Sequence, residues 1–476
     1  MNMAQFRLKK IRIEKLFGLY NYTLEADDLF DDAMILYGDN GIGKSTILRL
    51  VFDLLSPSNN KGHRTSLSKG HFSYLEVQLS SGVKLTAENI VSETGRKVLK
   101  LVIFENEIEV AIWLHSESNS DVRKMKVGND IVYMNALDSL DSLESFEFEY
   151  IQGKVRKRKE KNNDKRHITG ESIYIRKLQE VVPLTFILNA DRMLDGDSIS
   201  DADDEIEYRR IMHYGEPRSI RELVAKSREI ALTQALNAAS RWISRKAVLG
   251  TNQGADNVHS TYIRILKHIV SPKSEIAREI NKEEIDELKR RVESLGDETA
   301  RLAKYELATA LDMTDFSRVL KTQRNSTSFL SIDLLTPYIE SLDVRLEAVR
   351  SIYVIIDKFI TIINELLTDK EIGFHLSQGF YIKNRFEEKL SASQLSSGEQ
   401  QLLLLFCNVL VARDKPSLFI IDEPEISLNI KWQRKLIQYL LDITKDTSIQ
   451  FMFASHSLEI ISQHRSRVVK LVNENE

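Results

Sequence analysis

Residues Gly38–Ser45 read GDNGIGKS, and this stretch decides how the rest of the chain can be interpreted. The preceding run Ala33–Tyr37 (AMILY) is short and apolar, which is typical of a buried strand. The following run Thr46–Leu55 has the apolar spacing of a helix. The glycines, followed by a lysine and a serine, match the pattern GxxxxGK[ST] between a strand and a helix, where that pattern is meaningful. The sequence therefore predicts a phosphate-binding loop.

The predicted loop has the chemistry needed to bind a triphosphate together with a magnesium ion. Its glycines let the backbone wrap a phosphate without clashes from Cβ atoms, and the free N–H groups and dipole of the following helix attract anions. Lys44 would reach the β- and γ-phosphate oxygens, and the Ser45 hydroxyl would ligate Mg²⁺. We therefore expect ATP and Mg²⁺ as cofactors. The residues expected to bind the phosphates are Gly38, Asp39, Asn40, Gly41, Ile42, Gly43, Lys44, Ser45 and Thr46.

An acidic pair near the other end of the chain supplies the second half of the predicted site. Leu418–Glu423 (LFIIDE) is an apolar strand that ends in two carboxylates. Side chains at the carboxyl ends of parallel strands face the ligand edge of a sheet. We expect Asp422 to hold Mg²⁺ through a water molecule, and Glu423 to orient and polarise the water that attacks the γ-phosphate.

The run Leu395–Gln401 (LSSGEQQ) precedes a strongly apolar helix and has two interpretations. Ser396 and Glu399 fit a capping box, which would make this run a well-capped helix start and nothing more. The alternative is a second phosphate-binding helix start that presents a hydroxyl and free N–H groups to a γ-phosphate. The residues of that alternative site are Ser396, Ser397, Gly398 and Glu399.

A histidine completes the set of candidate catalytic residues. His456 follows the apolar strand Ile449–Ala454. A lone histidine is usually a surface or core residue. Here its strand is expected to run parallel to the strand that bears Asp422, so we expect His456 to contact the γ-phosphate. The predicted catalytic residues are Lys44, Glu423 and His456.

Composition and charge limit the classes of partner. The chain has 476 residues, a formal net charge of −4 and one cysteine, Cys407, so it is no polycation and has no disulfide framework. Residues 6–13 alternate in polarity, which does not fit a signal peptide, and the apolar run at 402–412 is too short to span a bilayer. We therefore expect a cytoplasmic protein without membrane contact. The basic run 154–167 is either a solvated loop or a nucleic-acid contact; nucleic acid is not favoured, because the run contains no aromatic residue.

Sequence patterns predict an α/β fold with a mixed sheet, a β sub-sheet and a helical insertion. Alternating segments at 72–79, 83–87, 98–104 and 108–114 predict the sub-sheet, and Val181–Leu188 (VVPLTFIL) predicts a core strand. Helical spacing further on predicts short paired helices with a break at Gly250–Gly254. The three expected parts are residues 1–215, the insertion at 216–369 and an α/β part at 370–476.

These motifs, in this order, resemble those of the ATP-binding-cassette (ABC) class of ATPases. GDNGIGKS resembles the phosphate loop, LSSGEQQ the signature motif, LFIIDEPEISL the second acidic motif, and ASHS the switch histidine. The resemblance implies an ABC-type ATPase head and hydrolysis of ATP to ADP and phosphate. It also implies a homo-oligomer, at least a head-to-head dimer, in which Ser396, Gly398 and Glu399 of one copy complete the site of another. Lys44, Ser45, Asp422, Glu423 and His456 would act within their own copy.

Finer resemblances point to a biological role. The opening hairpin, with Phe17-Gly18-Leu19, resembles the chromosome-maintenance and recombination-repair branch of the class. DEPEISL followed by Trp432-Gln433 is similar to ATPases of anti-phage systems: the overcoming-lysogenisation-defect proteins and the Septu, retron and PARIS systems, with PARIS favoured. This implies a sensor or regulatory subunit with a phage protein as trigger. Because the chain shows no catalytic motif besides those for nucleotide chemistry, the toxic chemistry is expected on a separate effector, a nuclease. The alternative is a DNA-repair or chromosome-maintenance ATPase.

The chain departs from the ABC pattern at two points. Asn429 stands where many relatives carry histidine, which puts in doubt any cross-subunit role of that position. The glutamine that usually senses Mg²⁺ has no clear counterpart. Gln78 is a candidate but lies in a strand pattern, and Asp191-Arg192 could occupy that region instead.

Overall fold

The structure, a computed structural model, divides into two compact units. It describes residues 6–25, 32–58, 61–91, 97–115, 122–127, 130–135, 170–189, 194–196, 220–270, 282–312, 314, 327–426, 428 and 430–474. One unit combines residues 1–207 with 412–476, and the other comprises residues 208–411. Within the described residues, no helix combines the length and apolarity required to cross a bilayer.

The secondary structure alternates between the units in chain order. The first unit begins with β1 (Leu8–Leu16), β2 (Tyr20–Glu25), β3 (Ala33–Tyr37), α1 (Lys44–Leu55), α2 (His63–Lys69), β4 (Tyr74–Leu79), β5 (Val83–Val91), β6 (Lys97–Glu105), β7 (Ile108–His115), β8 (Val122–Val127), β9 (Asp130–Asn135), α3 (Gly170–Val181), β10 (Leu184–Leu188) and β11 (Leu194–Gly196). The second unit holds α4 (Ile220–Val270), α5 (Lys282–Ala303), α6 (Thr327–Leu366), β12 (Lys370–His375), β13 (Gly379–Asn384), β14 (Lys389–Leu390) and α7 (Ser397–Ala412). The first unit resumes with β15 (Ser417–Asp422), α8 (Ile430–Ile443), β16 (Ile449–Ala454), α9 (Leu458–Gln463) and β17 (Val468–Lys470).

A six-stranded sheet in the first unit carries the predicted motifs. Its strand order is β11-β10-β15-β16-β3-β17, and every neighbouring pair is parallel except β10 with β11. The central strands β15 and β16 are almost entirely buried, as expected for a parallel sheet covered on both faces. Because β15 and β16 come from the C-terminal region and β3 from the N-terminal region, the sheet joins distant parts of the chain.

A second sheet of six antiparallel strands confirms the predicted β sub-sheet, with strand order β2-β1-β4-β5-β6-β7. In β4 buried and partly buried residues alternate strictly, the pattern of a sheet with one covered face. One buried core contains residues of both sheets and of α1. A buried glutamine also ties the sheets: Gln450 of β16 accepts from Leu8 N at 2.8 Å and donates to Leu8 O at 3.2 Å.

The prediction of a strand over Val181–Leu188 is wrong in its first half. Val181 is the last residue of α3, and Val182 N still donates to Leu178 O in the helical manner. Only Leu184–Leu188 forms a strand, next to β15. Pro183 separates the two elements, because proline has no N–H and disfavours helical backbone in the residue before it.

The second unit is built on long helices, so the predicted break at Gly250–Gly254 is wrong. Helix α4 runs without interruption through these residues for 51 residues, and α6 is 40 residues long. Gly250 is buried against α6, where a Cβ atom would lie 2.6 Å from the carbonyl oxygen of Ala348. Here glycine permits close helix packing, and that packing outweighs its weak helix propensity.

The hairpin β12–β13 groups with these helices, whereas the sequence placed residues from 370 onward in the α/β part. Asn364 of α6 exchanges two hydrogen bonds with the backbone of Ile372, at 2.8 and 3.1 Å. Ser240 of α4 accepts from Phe380 N at 3.2 Å. These contacts explain why residues 370–411 belong to the second unit.

Candidate nucleotide site

The loop between β3 and α1 has the backbone geometry that its glycines predict. Gly41 and Gly43 have φ values of 86° and 99°, in the region that favours glycine. A Cβ atom on Gly43 would lie 2.6 Å from Leu16 Cδ2 and 3.1 Å from Phe17 Cε2. Both the backbone and the close approach of the β1–β2 hairpin therefore require glycine at position 43. The sequence did not indicate this contact with the hairpin.

Lys44 is buried at the start of α1 and turns back over the loop. Its Nζ donates to the carbonyl oxygens of Gly38 and Asp39, each at 2.8 Å. Burial lowers the pKa of Lys44, and the carboxylates of Glu423 and Asp422 act in the opposite direction. The ammonium group thus lies within the field of the acidic pair from the far end of the chain.

A direct hydrogen bond joins the two predicted halves of the site. The Ser45 hydroxyl donates to Asp422 Oδ1 at 3.0 Å. Burial raises the pKa of Asp422, the bond from Ser45 lowers it, and the charge of Glu423 raises it further. A hydroxyl and a carboxylate oxygen side by side are hard oxygen ligands of the kind that Mg²⁺ prefers. Ser45 and Asp422 therefore fit the proposed magnesium site.

Glu423 holds an unusual backbone conformation at the end of β15. Its φ is 47°, which is uncommon for a residue with a Cβ atom. Its N–H donates to Ala454 O at 2.8 Å, which ties the end of β15 to the end of β16. Glu423 Oε1 lies 3.9 Å from His456 Nε2, and both side chains are about one third exposed. The structure thus brings Lys44, Ser45, Asp422, Glu423 and His456 to the ends of β3, β15 and β16.

Glu425 was missed as a candidate residue. Its Oε1 accepts from Ser455 Oγ, His456 N and Ser457 N at 2.8, 2.7 and 2.9 Å. The sequence did contain a signal, because Glu425 is the third carboxylate in the run Asp422–Glu425 (DEPE). Nothing in that run indicates a partner thirty residues away.

The run 396–399 lies in the second unit and forms the predicted capping box. Ser396 N donates to Glu399 Oε2 at 2.7 Å, and Glu399 N donates to Ser396 Oγ at 3.4 Å. Lys370 Nζ also contacts both carboxylate oxygens of Glu399, at 2.8 and 3.0 Å. Burial would raise the pKa of Glu399, but Lys370 and the bonds with Ser396 hold it below its usual value. The Glu399 carboxylate is thus engaged within its own unit, while Ser397 and Gly398 open α7.

The remaining predicted positions lie in β4 or outside the described residues. Gln78 is the next-to-last residue of β4, in register with Lys10 of β1 and Lys84 of β5. Asp191-Arg192, Asn429 and the basic run 154–167 lie outside the described residues.

A comparison of the sequence with protein families gives a match over more than half of the chain. The family described as "AAA domain, putative AbiEii toxin, Type IV TA system" matches residues 198–462 of the 476. The chain belongs to this family. The part matched to this AAA domain family contains Asp422, Glu423 and His456, and the loop Gly38–Ser45 precedes it.

The similarity of this AAA domain protein to curated proteins covers a short segment, and its similarity to solved structures covers nearly the whole chain. The molybdenum import ATP-binding protein ModC of Escherichia coli (strain K12) and that of Shigella flexneri are each 38% identical over 79 residues, which is 17% of this chain. The chain spans only 22% of the length of these relatives. The Smc head domain of Pyrococcus furiosus, bound to the C-terminal domain of ScpA, is 12% identical with a TM-score of 0.33, over 98% of this chain and 96% of that one. The Smc head domain of Pyrococcus yayanosii is 14% identical with a TM-score of 0.34, over 98% and 97%.

Proposed function

We propose that this protein binds ATP with Mg²⁺ and hydrolyses it to ADP and phosphate. The observation that carries this proposal is the 3.0 Å bond from Ser45 to Asp422, which joins a phosphate loop to an acidic strand end. The buried Lys44 and the carboxylate of Glu423 accompany them, in the arrangement that phosphoryl-transfer sites use for positioning and charge stabilisation. The short ModC match adds support, because that protein's name describes it as ATP-binding.

Each residue has a distinct role in the proposed reaction. Lys44 would exchange its carbonyl partners for phosphate oxygens and stabilise their charge. Ser45 and Asp422 would hold Mg²⁺, which neutralises phosphate charge when bound. Glu423 would accept the proton of the attacking water, since its carboxylate is partly exposed and its charge acts on Lys44 of the loop. His456, 3.9 Å from that carboxylate, would contact the γ-phosphate.

We propose further that the protein regulates a separate effector in defence against phage. The motif resemblance supports this role, and so does the family description, which names a toxin of a toxin–antitoxin system. In this proposal a phage protein is the trigger, the effector is a nuclease, and ATP controls assembly of at least two copies. The competing proposal is a DNA-repair or chromosome-maintenance ATPase, which would bind DNA through local basic segments.

Two substitutions test the ATPase proposal with purified protein. Lys44→Ala should weaken binding of a fluorescent ATP analogue by about 100-fold or more, because it removes the buried counter-charge. Glu423→Gln should keep binding but lower the hydrolysis rate by about 100- to 10,000-fold, because the general base is lost. Lys445→Ala, an exposed lysine of the same unit, is the matched control and should change neither quantity. Equal turnover in wild type and Glu423→Gln would contradict the role of Glu423.

The same assay separates the two biological proposals. A regulatory ATPase should hydrolyse ATP at a rate that added duplex DNA leaves unchanged, and it should co-purify with a second protein encoded beside it. A DNA-repair ATPase should be stimulated by DNA, with a DNA affinity that falls steeply as salt rises. DNA-stimulated turnover without a protein partner would therefore replace the defence proposal.

A further inference from the structure

We infer that Glu425 is a positioning residue for ATP hydrolysis, because it fixes the segment Ser455–Ser457 that carries His456. The inference rests on the proposed function. Glu425 lies in the turn after Glu423, three residues beyond Asp422, and its partners lie about thirty residues further along the chain. It therefore connects the end of β15 to the end of β16 on the side where both strands meet the phosphate loop.

The contacts of Glu425 are concentrated on one carboxylate oxygen. Oε1 accepts from the Ser455 hydroxyl, His456 N and Ser457 N, at 2.7–2.9 Å. Ser455 is fully buried, and its hydroxyl oxygen also accepts from Ser457 N at 3.0 Å. Three donors that converge on one oxygen favour a charged acceptor, and such bonds are roughly twice as strong as neutral ones. The backbone of His456 is thus fixed while its imidazole ring remains turned toward Glu423.

A second side chain holds the same two segments together. Gln433 of α8 accepts from Ser457 Oγ at 3.0 Å through Oε1. Its Nε2 donates to Glu425 O at 3.3 Å and to Leu428 O at 3.0 Å. Hydrogen bonds of Glu425 and Gln433 therefore join the turn after β15 to the loop after β16.

The other oxygen of Glu425 adds negative charge beside the site. Glu425 Oε2 is buried and has no hydrogen-bond partner among the described residues. The charge of Glu425 acts on both Lys44 and Asp422. One oxygen of this carboxylate accepts three hydrogen bonds and the other accepts none. The group can therefore both position its neighbour and contribute to the electrostatic field at the site.

The test compares kcat and KM for ATP in three variants. Glu425→Ala should lower kcat by roughly 10- to 100-fold, the loss usual when a residue that orients a functional side chain is removed. Its KM should stay within about threefold of wild type, because the phosphate loop is untouched. Glu425→Gln keeps the Oε1 acceptor but loses the negative charge, so it should recover part of the lost rate. Glu459→Gln, which alters an exposed carboxylate paired with Arg434, is the matched control and should leave both constants unchanged.

A double mutant distinguishes positioning from general support of the fold. If Glu425 acts through His456, Glu425→Ala should change kcat by less than about threefold in a His456→Ala background. Full additivity, or an unchanged kcat in the single variant, would overturn the inference. Should Glu425→Ala fail to fold, Gln433→Ala replaces it, with a smaller loss of kcat expected and the same dependence on His456.

The outcome also separates this inference from the proposal on which it rests. Wild-type protein that neither binds nor hydrolyses ATP would refute both. Wild-type turnover that Glu423→Gln abolishes but Glu425→Ala leaves intact would refute the positioning role alone.

Discussion

Single residues at the site hold backbone conformations that few side chains tolerate. Gly43 has a φ of 99° and Glu423 a φ of 47°. A residue with a Cβ atom in such a region costs about 1–3 kcal/mol and persists only where its surroundings enforce it. At Glu423 the bond to Ala454 O provides that enforcement. In this conformation Glu423 Oε1 lies 3.9 Å from His456 Nε2.

Substitution of Gly43 tests the geometry of the loop. Gly43→Ala should destabilise the protein by more than about 2 kcal/mol, because the added Cβ combines an unfavourable φ with a 2.6 Å approach to Leu16. It should also abolish ATP binding in a titration with the fluorescent analogue. Gly62→Ala is the matched control: Gly62 has a φ of 76° but open space around it, so only about 1–2 kcal/mol should be lost. Equal losses in urea unfolding would show that the contact with Leu16 is unimportant.

The sequence predicted the strand, loop and helix around Gly43 because this pattern is a rule about local backbone. Gly43 and Lys44 are recognisable from eight consecutive letters and their flanking elements. Glu425 was missed because its contacts are with Ser455 and His456, which only the parallel pairing of β15 with β16 brings close. Residue patterns report local requirements, whereas the contacts of Glu425 are set by tertiary structure.

At the scale of elements, polar contacts with α2 hold the C-terminal turn of α1, the helix that follows the phosphate loop. Asp53 of α1 is fully buried, with Oδ1 2.7 Å from His63 Nδ1 and Oδ2 2.6 Å from Ser66 Oγ. Arg64 donates to the carbonyl oxygens of Asp53 and Ser56, at 2.7 and 2.6 Å. Since α2 supplies all three donor residues, it fixes the C-terminal turn of α1.

Loss of the buried Asp53 carboxylate should weaken the contact between α1 and α2. Asp53→Ala should destabilise the protein by about 2–4 kcal/mol, because it leaves His63 and Ser66 without their buried acceptor. Urea unfolding measures the change. Asp442→Ala, which removes a partly exposed carboxylate bonded to Gln438, is the control and should stay within about 0.5 kcal/mol of wild type. If Asp53→Ala lowered the free energy of unfolding by no more than the control, hydrophobic packing alone would hold α1 against α2.

Elements with a strong periodic pattern were predicted, and two that depend on neighbours were not. Strands β4 to β7 and helix α1 follow from alternating or helical spacing. The continuous α4 was not foreseen, because the glycine at position 250 signals a break locally but here permits close packing on α6. The end of α3 at Val181 was misjudged because a short apolar run fits a helix or a strand equally well.

At the scale of the whole molecule, the ABC resemblance implies that two copies share each nucleotide site. The loop and the acidic strand belong to the first unit, and Ser396–Glu399 belongs to the second. In the proposed dimer, the run 396–399 of one copy completes the site of its partner. Because Lys370 binds the Glu399 carboxylate, we expect the backbone of Ser397 and Gly398 to contact the phosphates bound by the other copy.

Complementation between two inactive variants tests this arrangement. Ser396→Asp keeps a good helix cap but places a negative charge where a triphosphate would lie. Alone, Ser396→Asp and Lys44→Ala should each show little hydrolysis. Mixed in equal amounts, they should recover about a quarter of the wild-type rate, because random pairing gives half heterodimers with one intact site each. A mixture no more active than its components would refute the shared site.

The placement of β3 has a consequence for biosynthesis. Both strands that flank β3, β16 and β17, lie about 400 residues further along the chain. At a translation rate of 5–20 residues per second, the nascent β3 therefore waits roughly 20–80 seconds for its neighbours. The antiparallel sheet from β1 to β7 needs no such delay, since its partners leave the ribosome together. Until translation is nearly finished, the apolar strand β3 and the adjoining phosphate loop therefore remain without their native neighbours and open to non-native contacts.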